Sequence, residues 1–305
     1  MGIFYNSELN SKYEYDPVLE AMGFLYEQQF ASNIILNEMT LKDADNALAK
    51  FYSICIDKLR QVIVKVKEIY EKIVTEIKRF LKDNVGILHA IRKTPVLNTD
   101  YFDFNGYNFY DRNYRVSLDA AEERAKSYMR TSFNLIVMNK CDSIDFDKEL
   151  SKIRSELFDD PNIKLQNIPS YIKECCLGEK TTFKVNDEII RKSIALLEDK
   201  NVEKTSMKEC RDTMITGTTA FMATCKALST DIASRIQLSD KQNQLLRDST
   251  KFCMSVNSIM FIIYSAMIKC ETTKYRQSRA IMYKVLARSK DLNKGKDNNT
   301  QLATV

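Results

Sequence analysis

From Thr40 to about Asn84 the apolar residues fall at Leu41, Ala44, Leu48, Phe51, Cys55, Leu59, Val62, Val66, Ile69, Ile73, Ile77 and Phe80. Every gap is three or four, the period of a helix with one buried stripe. The stretch contains neither Gly nor Pro. At 1.5 Å per residue it predicts a helix of about 65 Å, longer than a small domain is wide. Thr40 is placed to cap it, with Asp43 three residues on. A shorter helix precedes it. Asp16-Pro17 has an N-cap followed by Pro in the first turn, and Leu19, Phe24, Leu25, Tyr26, Phe30, Ile34 and Ile35 carry the helix to about Glu38.

The helical period breaks over 86–116. Within it, Tyr-Phe-Asp-Phe-Asn-Gly-Tyr-Asn-Phe-Tyr (101–110) alternates around Asn105-Gly106, the strongest short signal for a β-hairpin with a type I′ turn. That register places Phe102, Phe104, Tyr107 and Phe109 on one face. Such a face is a satellite core docked on the helices, or a recognition tip for a partner. Beyond it the pattern predicts helices at 118–140, 145–158, 186–199, 203–235 and 239–289. Asp160-Pro161, Pro169 and Gly178 mark 159–182 as an irregular connection. The chain thus divides into N-terminal helices (1–158), that connection, C-terminal helices (183–290) and a flexible polar tail (291–305). The predicted class is all-α: an elongated bundle of about six helices with one small β-hairpin near 101–110.

Composition supports long helices with few connections. In 305 residues there are only 7 Gly and 4 Pro, with 44% hydrophobic and 29% charged residues. The net charge of +5 is mild but unevenly spread. Residues 142–160 are acidic, and the stretch from Lys269 to Lys296 is basic. Lys274, Arg276, Arg279, Lys284 and Arg288 on the last helix are therefore candidates for weak contact with DNA phosphates or another polyanion. Lys58, Lys65, Lys72 and Arg79 recur every seven residues beside the apolar seam of the long helix. Interleaved acids (Asp57, Glu68, Glu71, Glu76) favour a solvated flank over a polyanion track.

No catalytic constellation is present. There is no G-x-S-x-G, H-E-x-x-H or EF-hand loop, and Thr216-Gly217-Thr218-Thr219 lacks the lead and the ending of a P-loop. A single His (His89) and eight cysteines without C-x-x-C spacing predict no metal, no cofactor and no structural disulfide. Cys55, Cys225 and Cys253 fall on apolar helical positions, where a free thiol acts as a small hydrophobe. Residues 1–10 lack the apolar core of a signal peptide, and Asn6 stands where the Gly2 myristoylation pattern wants Ser or Thr. Ile259–Ile268 is the most hydrophobic run. It has about half the roughly 20 residues of a membrane span, so a buried helix and no transmembrane span are expected.

The organisation resembles one family. The N-terminal amphipathic pair of helices, the Lys-rich Val/Ile stretch 62–80, the aromatic Phe104-Asn-Gly-Tyr-Asn-Phe segment and the Lys/Tyr-rich close from Tyr275 to Lys290 resemble virion structural or internal head proteins of large tailed phages infecting low-GC Gram-positive bacteria. The Lys, Asn and Ile bias fits an AT-rich genome. The resemblance is architectural and carries no catalytic residues. It implies a non-enzymatic, multi-copy component of a phage particle, located in the virion, that contacts other virion proteins or its own copies through helical or coiled-coil packing. Two further readings stand beside it. One is a membrane-active or membrane-remodelling helical protein, which would use residues 259–268. The other is a scaffold in the bacterial cytoplasm, which would use the basic C-terminal helix on nucleic acid.

Overall fold

The computed structural model describes residues 15–38, 44–93, 102–112, 144–198, 206–233 and 239–302, with the single positions 127 and 131. In chain order the elements are α1 (Pro17–Glu38), α2 (Ala44–Lys93), β1 (Phe102–Tyr107), α3 (Phe146–Phe158), a 3-10 turn (Leu165–Asn167), α4 (Ile168–Leu177), β2 (Lys180–Val185), α5 (Asp187–Glu198), α6 (Ser206–Ala233) and α7 (Asp240–Leu302). The described residues are mostly helical, with one small antiparallel sheet. The helix expected at 118–140 and the expected Thr40 cap lie outside the described residues; of that helix only 127 and 131 are described, and both are helical.

The helix starts follow local chemistry. Asp16 Oδ1 accepts from the backbone N–H groups of Val18 and Leu19, and Pro17 takes the position where a missing N–H costs nothing. Asp145 and Asn186 cap α3 and α5 in the same way, accepting from Lys148 N and Ile189 N. Ser239 and Gln242 form a capping box at the start of α7: Gln242 Oε1 accepts from Ser239 N at 2.9 Å, and Ser239 Oγ accepts from Gln242 N at 3.4 Å.

Among the described elements, α7 is central and touches every other labelled α-helix. Phe252 meets Phe146 of α3, and Asn257 donates to Thr218 of α6 at 2.8 Å. Phe261 meets Phe24 of α1 edge-to-face at 5.9 Å, and the Tyr264 hydroxyl donates to the Val66 carbonyl of α2 at 3.1 Å. Farther on, Arg276 pairs with Glu76, and Ser278 meets Tyr110, which also bonds Ser193 of α5. The contacts Val66–Tyr264 and Glu76–Arg276 rise together along both helices, so α2 and α7 run parallel. α6 runs antiparallel beside them: Arg211 lies over the Tyr70 ring, whereas Cys225 lies near Cys55.

The predicted stripe of α2 faces this core. Cys55, Leu59, Val62, Val66, Ile69, Ile73 and Ile77 are all buried. On α7, every residue from Ile259 to Ile268 is buried, Ser265 included. A helix with one buried face cannot bury ten consecutive residues. This one does so because neighbours surround it, and Ser265 returns its hydroxyl to the Phe261 carbonyl of its own helix.

Four expectations need correction. The long helix does not end near Asn84: α2 continues through Gly86 to Lys93, with Ile87 and Ile91 buried. Residues 101–110 do not fold back on themselves. Phe102–Tyr107 is one continuous strand, paired antiparallel with β2 in the register Phe102↔Val185, Phe104↔Phe183 and Gly106↔Thr181. Among the described residues Gly178 is the glycine with positive φ, so Asn105-Gly106 forms no type I′ turn. The 159–182 stretch is not irregular either: it holds the 3-10 turn, α4 and the start of β2. Pro169 sits in the first turn of α4, and Gly178, at φ 77°, ends that helix. Both residues read as breakers but act as terminators of a short helix whose Ile168, Ile172 and Cys176 face the core. Finally, α7 continues through 291–302, where a flexible tail was expected.

Leu59→Ala and Ile262→Ala, at fully buried positions of α2 and α7, should each cost about 2–5 kcal/mol of unfolding free energy. Lys251→Ala, on the exposed side of α7, should cost less than about 0.5 kcal/mol. Denaturant melts of the three variants measure the difference, and equal shifts would mean that the buried face is misassigned.

Candidate functional site

Two sets of residues stood out in the sequence, and the structure brings them together. Phe102 and Phe104 point from β1 onto the C-terminal half of α7 and are buried, as is Phe109 just past the strand. Tyr107 is only half-buried, because strand alternation turns it to the opposite face. The basic residues of α7 cover this cluster. Lys284 Nζ lies 4.9 Å from the Phe104 ring centroid, and the Arg288 guanidinium lies 4.8 Å from that of Phe102. On the other side, Lys173 of α4 lies over the Tyr107 ring at 5.2 Å. The remaining basic candidates also have intramolecular partners. Lys274 pairs with Glu271 at 2.8 Å, Arg276 with Glu76, and Arg279 lies over the Tyr283 ring and donates to its hydroxyl. Two of the five cations, Lys284 and Arg288, and two of the four rings, Phe104 and Phe102, are thus two sides of one internal contact. Each such cation–π pair adds about 0.5–1 kcal/mol at an exposed site.

The residue that locks this contact was not singled out in the sequence. Gln277 points its amide at the edge of β1. Its Oε1 accepts from Tyr107 N at 2.7 Å, and its Nε2 donates to Tyr107 O at 2.6 Å. One side chain thereby does what a neighbouring strand would do for that residue. Gly106 allows the approach, since a Cβ there would lie 2.5 Å from Gln277 Oε1 and 2.6 Å from a Phe104 ring carbon. The glycine is needed for space and not for a turn. The visible signal was a Gln flanked by Tyr275 and Ile281 on an otherwise buried helix face.

The basic stripe of α2 has a structural task that its spacing did not reveal. Lys65 Nζ and Lys72 Nζ converge on Glu20 of α1, at 2.7 and 3.0 Å from Oε1. Lys58 Nζ donates to the Gln28 carbonyl at 2.8 Å. Lys269 of α7 pairs with Asp16 at the start of the same helix. The stripe is therefore the clamp that seats α1. Burial alone would push the Glu20 carboxyl up, but hydrogen bonds from Lys65, Tyr15 and Lys72 outweigh it and hold the group down at about 2.

The chemical inventory is otherwise sparse. Among the described residues no group of three or more His, Cys, Asp or Glu is arranged to hold a metal ion. Cys55, Cys175, Cys176, Cys225, Cys253 and Cys270 are free thiols. Cys55, Cys225 and Cys253 meet where α2, α6 and α7 pack; burial pushes Cys55 and Cys225 up to about 12 and Cys253 up as well. Thiols held protonated in this way are poor nucleophiles and metal ligands. A groove of about 710 Å³ between α2 and α6 is lined by Lys67, Lys78 and Arg211 but also by Glu71 and Asp212, so it favours neither sign of charge. Part of α7, Arg247–Ser289, is long and apolar enough to cross a membrane by length and composition, yet 78% of its most apolar window is buried inside the fold.

Gly106→Ala should lower stability by about 1–3 kcal/mol, because the new methyl displaces Gln277 or Phe104. Gln277→Leu should cost a similar amount by leaving the Tyr107 peptide groups without this partner. Thermal melts check both, and a neutral Gly106→Ala would contradict the close approach. The pH response follows from Glu20. Its folded value lies below the ordinary 4.5, so the stability it contributes is fully present above that pH and is lost as pH falls toward about 2. Glu20→Gln should lower the melting temperature at pH 7 and narrow its gap to the unmodified protein on acidification. An unchanged gap from pH 7 to pH 2 would show that the clamp does not act.

No protein-family model, curated protein or solved structure matches the chain.

Proposed function

We propose that the chain is a non-enzymatic structural component of a phage particle: an elongated helical bundle that acts by shape and by protein–protein contact, in multiple copies. The observation that carries this reading is where the reactive and charged side chains go. The aromatic face of β1, the basic face of α7 and the basic stripe of α2 are engaged in holding the chain's own elements together. Among the described side chains of α1, Leu19 and Tyr26 are 71% and 73% exposed, and between them Gly23 has open space where a Cβ would stand. Exposed large apolar residues grouped on one helix face favour contact with another protein surface. The lengths of α2 and α7, about 75 and 95 Å at 1.5 Å per residue, suit a component that spans distance within an assembly. The phage setting rests on the architectural resemblance.

A membrane-active reading has one observation in its favour, the length and apolar character of Arg247–Ser289. Insertion would require α7 to leave all of its helical neighbours, at a cost of roughly 1.5–3 kcal/mol for each large apolar side chain of those neighbours that it would uncover to water.

Mass spectrometry of purified particles from the source should find the chain as a stoichiometric component. Leu19→Glu with Tyr26→Glu should leave the melting temperature within a few degrees of the unmodified protein while removing the chain from assembled particles. Absence of the unmodified chain from particles, together with liposome binding that Ile262→Lys abolishes, would favour the membrane reading.

A further inference from the structure

We propose that the cavity between α1, α4 and α7 binds a small organic acid, a carboxylate carried on a short aromatic or branched aliphatic body. The cavity holds about 320 Å³. That is at the small end of the roughly 300–1,000 Å³ of small-molecule sites. Four elements form it. Val18 comes from α1, Tyr107 from the end of β1, Lys173 and Leu177 from α4, and Ala266 and Lys269 from α7.

Charge sets this cavity apart. Lys173 and Lys269 both line it, and among the described residues no acid does. Other grooves of the chain mix the signs. One places Lys72 and Arg79 beside Glu71 and Glu76, and another places Arg112 beside Glu174 and Glu179. Acids in such a groove repel an anion as strongly as its cations attract it. Lys173 Nζ lies 5.2 Å from the Tyr107 ring centroid, and among the described residues no carboxylate pairs with it. Lys269 pairs with Asp16, which offsets part of its charge but occupies one of the three donors of an ammonium group. Lys173 therefore supplies the uncompensated charge and Lys269 further donors. Ser170, in the first turn of α4, adds a hydroxyl.

The floor is apolar. Val18, Leu177, Ala266 and Cys270 border the cavity and are all buried. A ligand that is all charge, such as inorganic phosphate, would lose its hydration against this floor without a replacement. A ligand with no charge would cover the Lys173 ammonium without pairing it. An organic acid meets both demands, with its carboxylate toward Lys173 and Lys269 and its body on the floor. Ammonium groups act as point charges and impose no bidentate geometry. The size and apolar floor of the cavity thus select among acids. A ligand seated here touches α1, β1, α4 and α7 at once, so its binding stabilises the folded chain by mass action.

The test titrates para-fluorobenzoate into the full chain and follows it by fluorine NMR. Para-fluorobenzamide is the uncharged match, and inorganic phosphate is the competitor. The expected result is saturable binding of one acid per chain, at least about tenfold tighter than the amide, because a hydrogen bond to a charged group contributes that much. The melting temperature should rise with the concentration of the acid, and phosphate should not displace it. Lys173→Gln should weaken the acid about tenfold. Lys184→Gln, at an exposed position of β2, should leave its affinity unchanged. Absence of saturable binding, equal binding of acid and amide, or an affinity that Lys173→Gln does not alter would overturn the proposal. Displacement of the acid by phosphate would overturn it too. The comparison of acid with amide on the unmodified chain decides the matter even if a variant folds poorly.

Discussion

The fold depends on burying the whole circumference of α7 between Ile259 and Ile268. A run this apolar has two physical destinations, a lipid bilayer or the middle of a protein. Here the protein supplies the second by placing α1, α2, α4 and α6 around the run and its flanks. Much else follows from that requirement. α2 must present a continuous apolar stripe, and it runs parallel to α7 to do so. α6 must return antiparallel beside both. α1, which lacks a strongly amphipathic pattern, must be fastened from outside by Lys65, Lys72 and Lys269 as well as by Phe24 packing on Phe261.

Polar groups in such a core need partners close at hand. Thr218 and Asn257 satisfy one another across α6 and α7, Tyr264 donates to a backbone carbonyl of α2, and Ser265 and Thr272 return to their own helix. Gln277 extends the same logic to the sheet, with an amide standing in for a strand. A two-stranded sheet is marginal alone. This one persists because α7 supplies apolar support beneath Phe102 and Phe104, cations over their rings, and the amide at Tyr107. Phe102, Phe104, Lys284 and Arg288, which stood out as candidate contact residues in the sequence, thus help to join the sheet to α7.

Local and periodic features were legible in the sequence. The start of α1 at Asp16-Pro17, the stripe of α2 from Cys55 to Ile77, the bounds of α3, α5 and α6 to within a few residues and the start of α7 all follow from side chains within a turn or two of each other. The burial of 259–268 followed from hydrophobicity and length. Pairings across long separations were not legible. Gly106 faces Thr181 across the sheet, so Asn105-Gly106 read as a turn when it was a strand with room for Gln277. The 159–182 segment read as irregular because Pro169 and Gly178 are breakers inside a helix and normal at its ends. The convergence of Lys65 and Lys72 on Glu20 depends on which helices pack together, which no local pattern states.

Hydrogen exchange read by mass spectrometry tests the central claim most directly. Amides of 259–268 should exchange only through global unfolding, more slowly than those of α3 or of α7 beyond residue 290, and liposomes should leave their protection unchanged. Rapid exchange of 259–268 in solution, with protection that arises only when liposomes are added, would contradict the account.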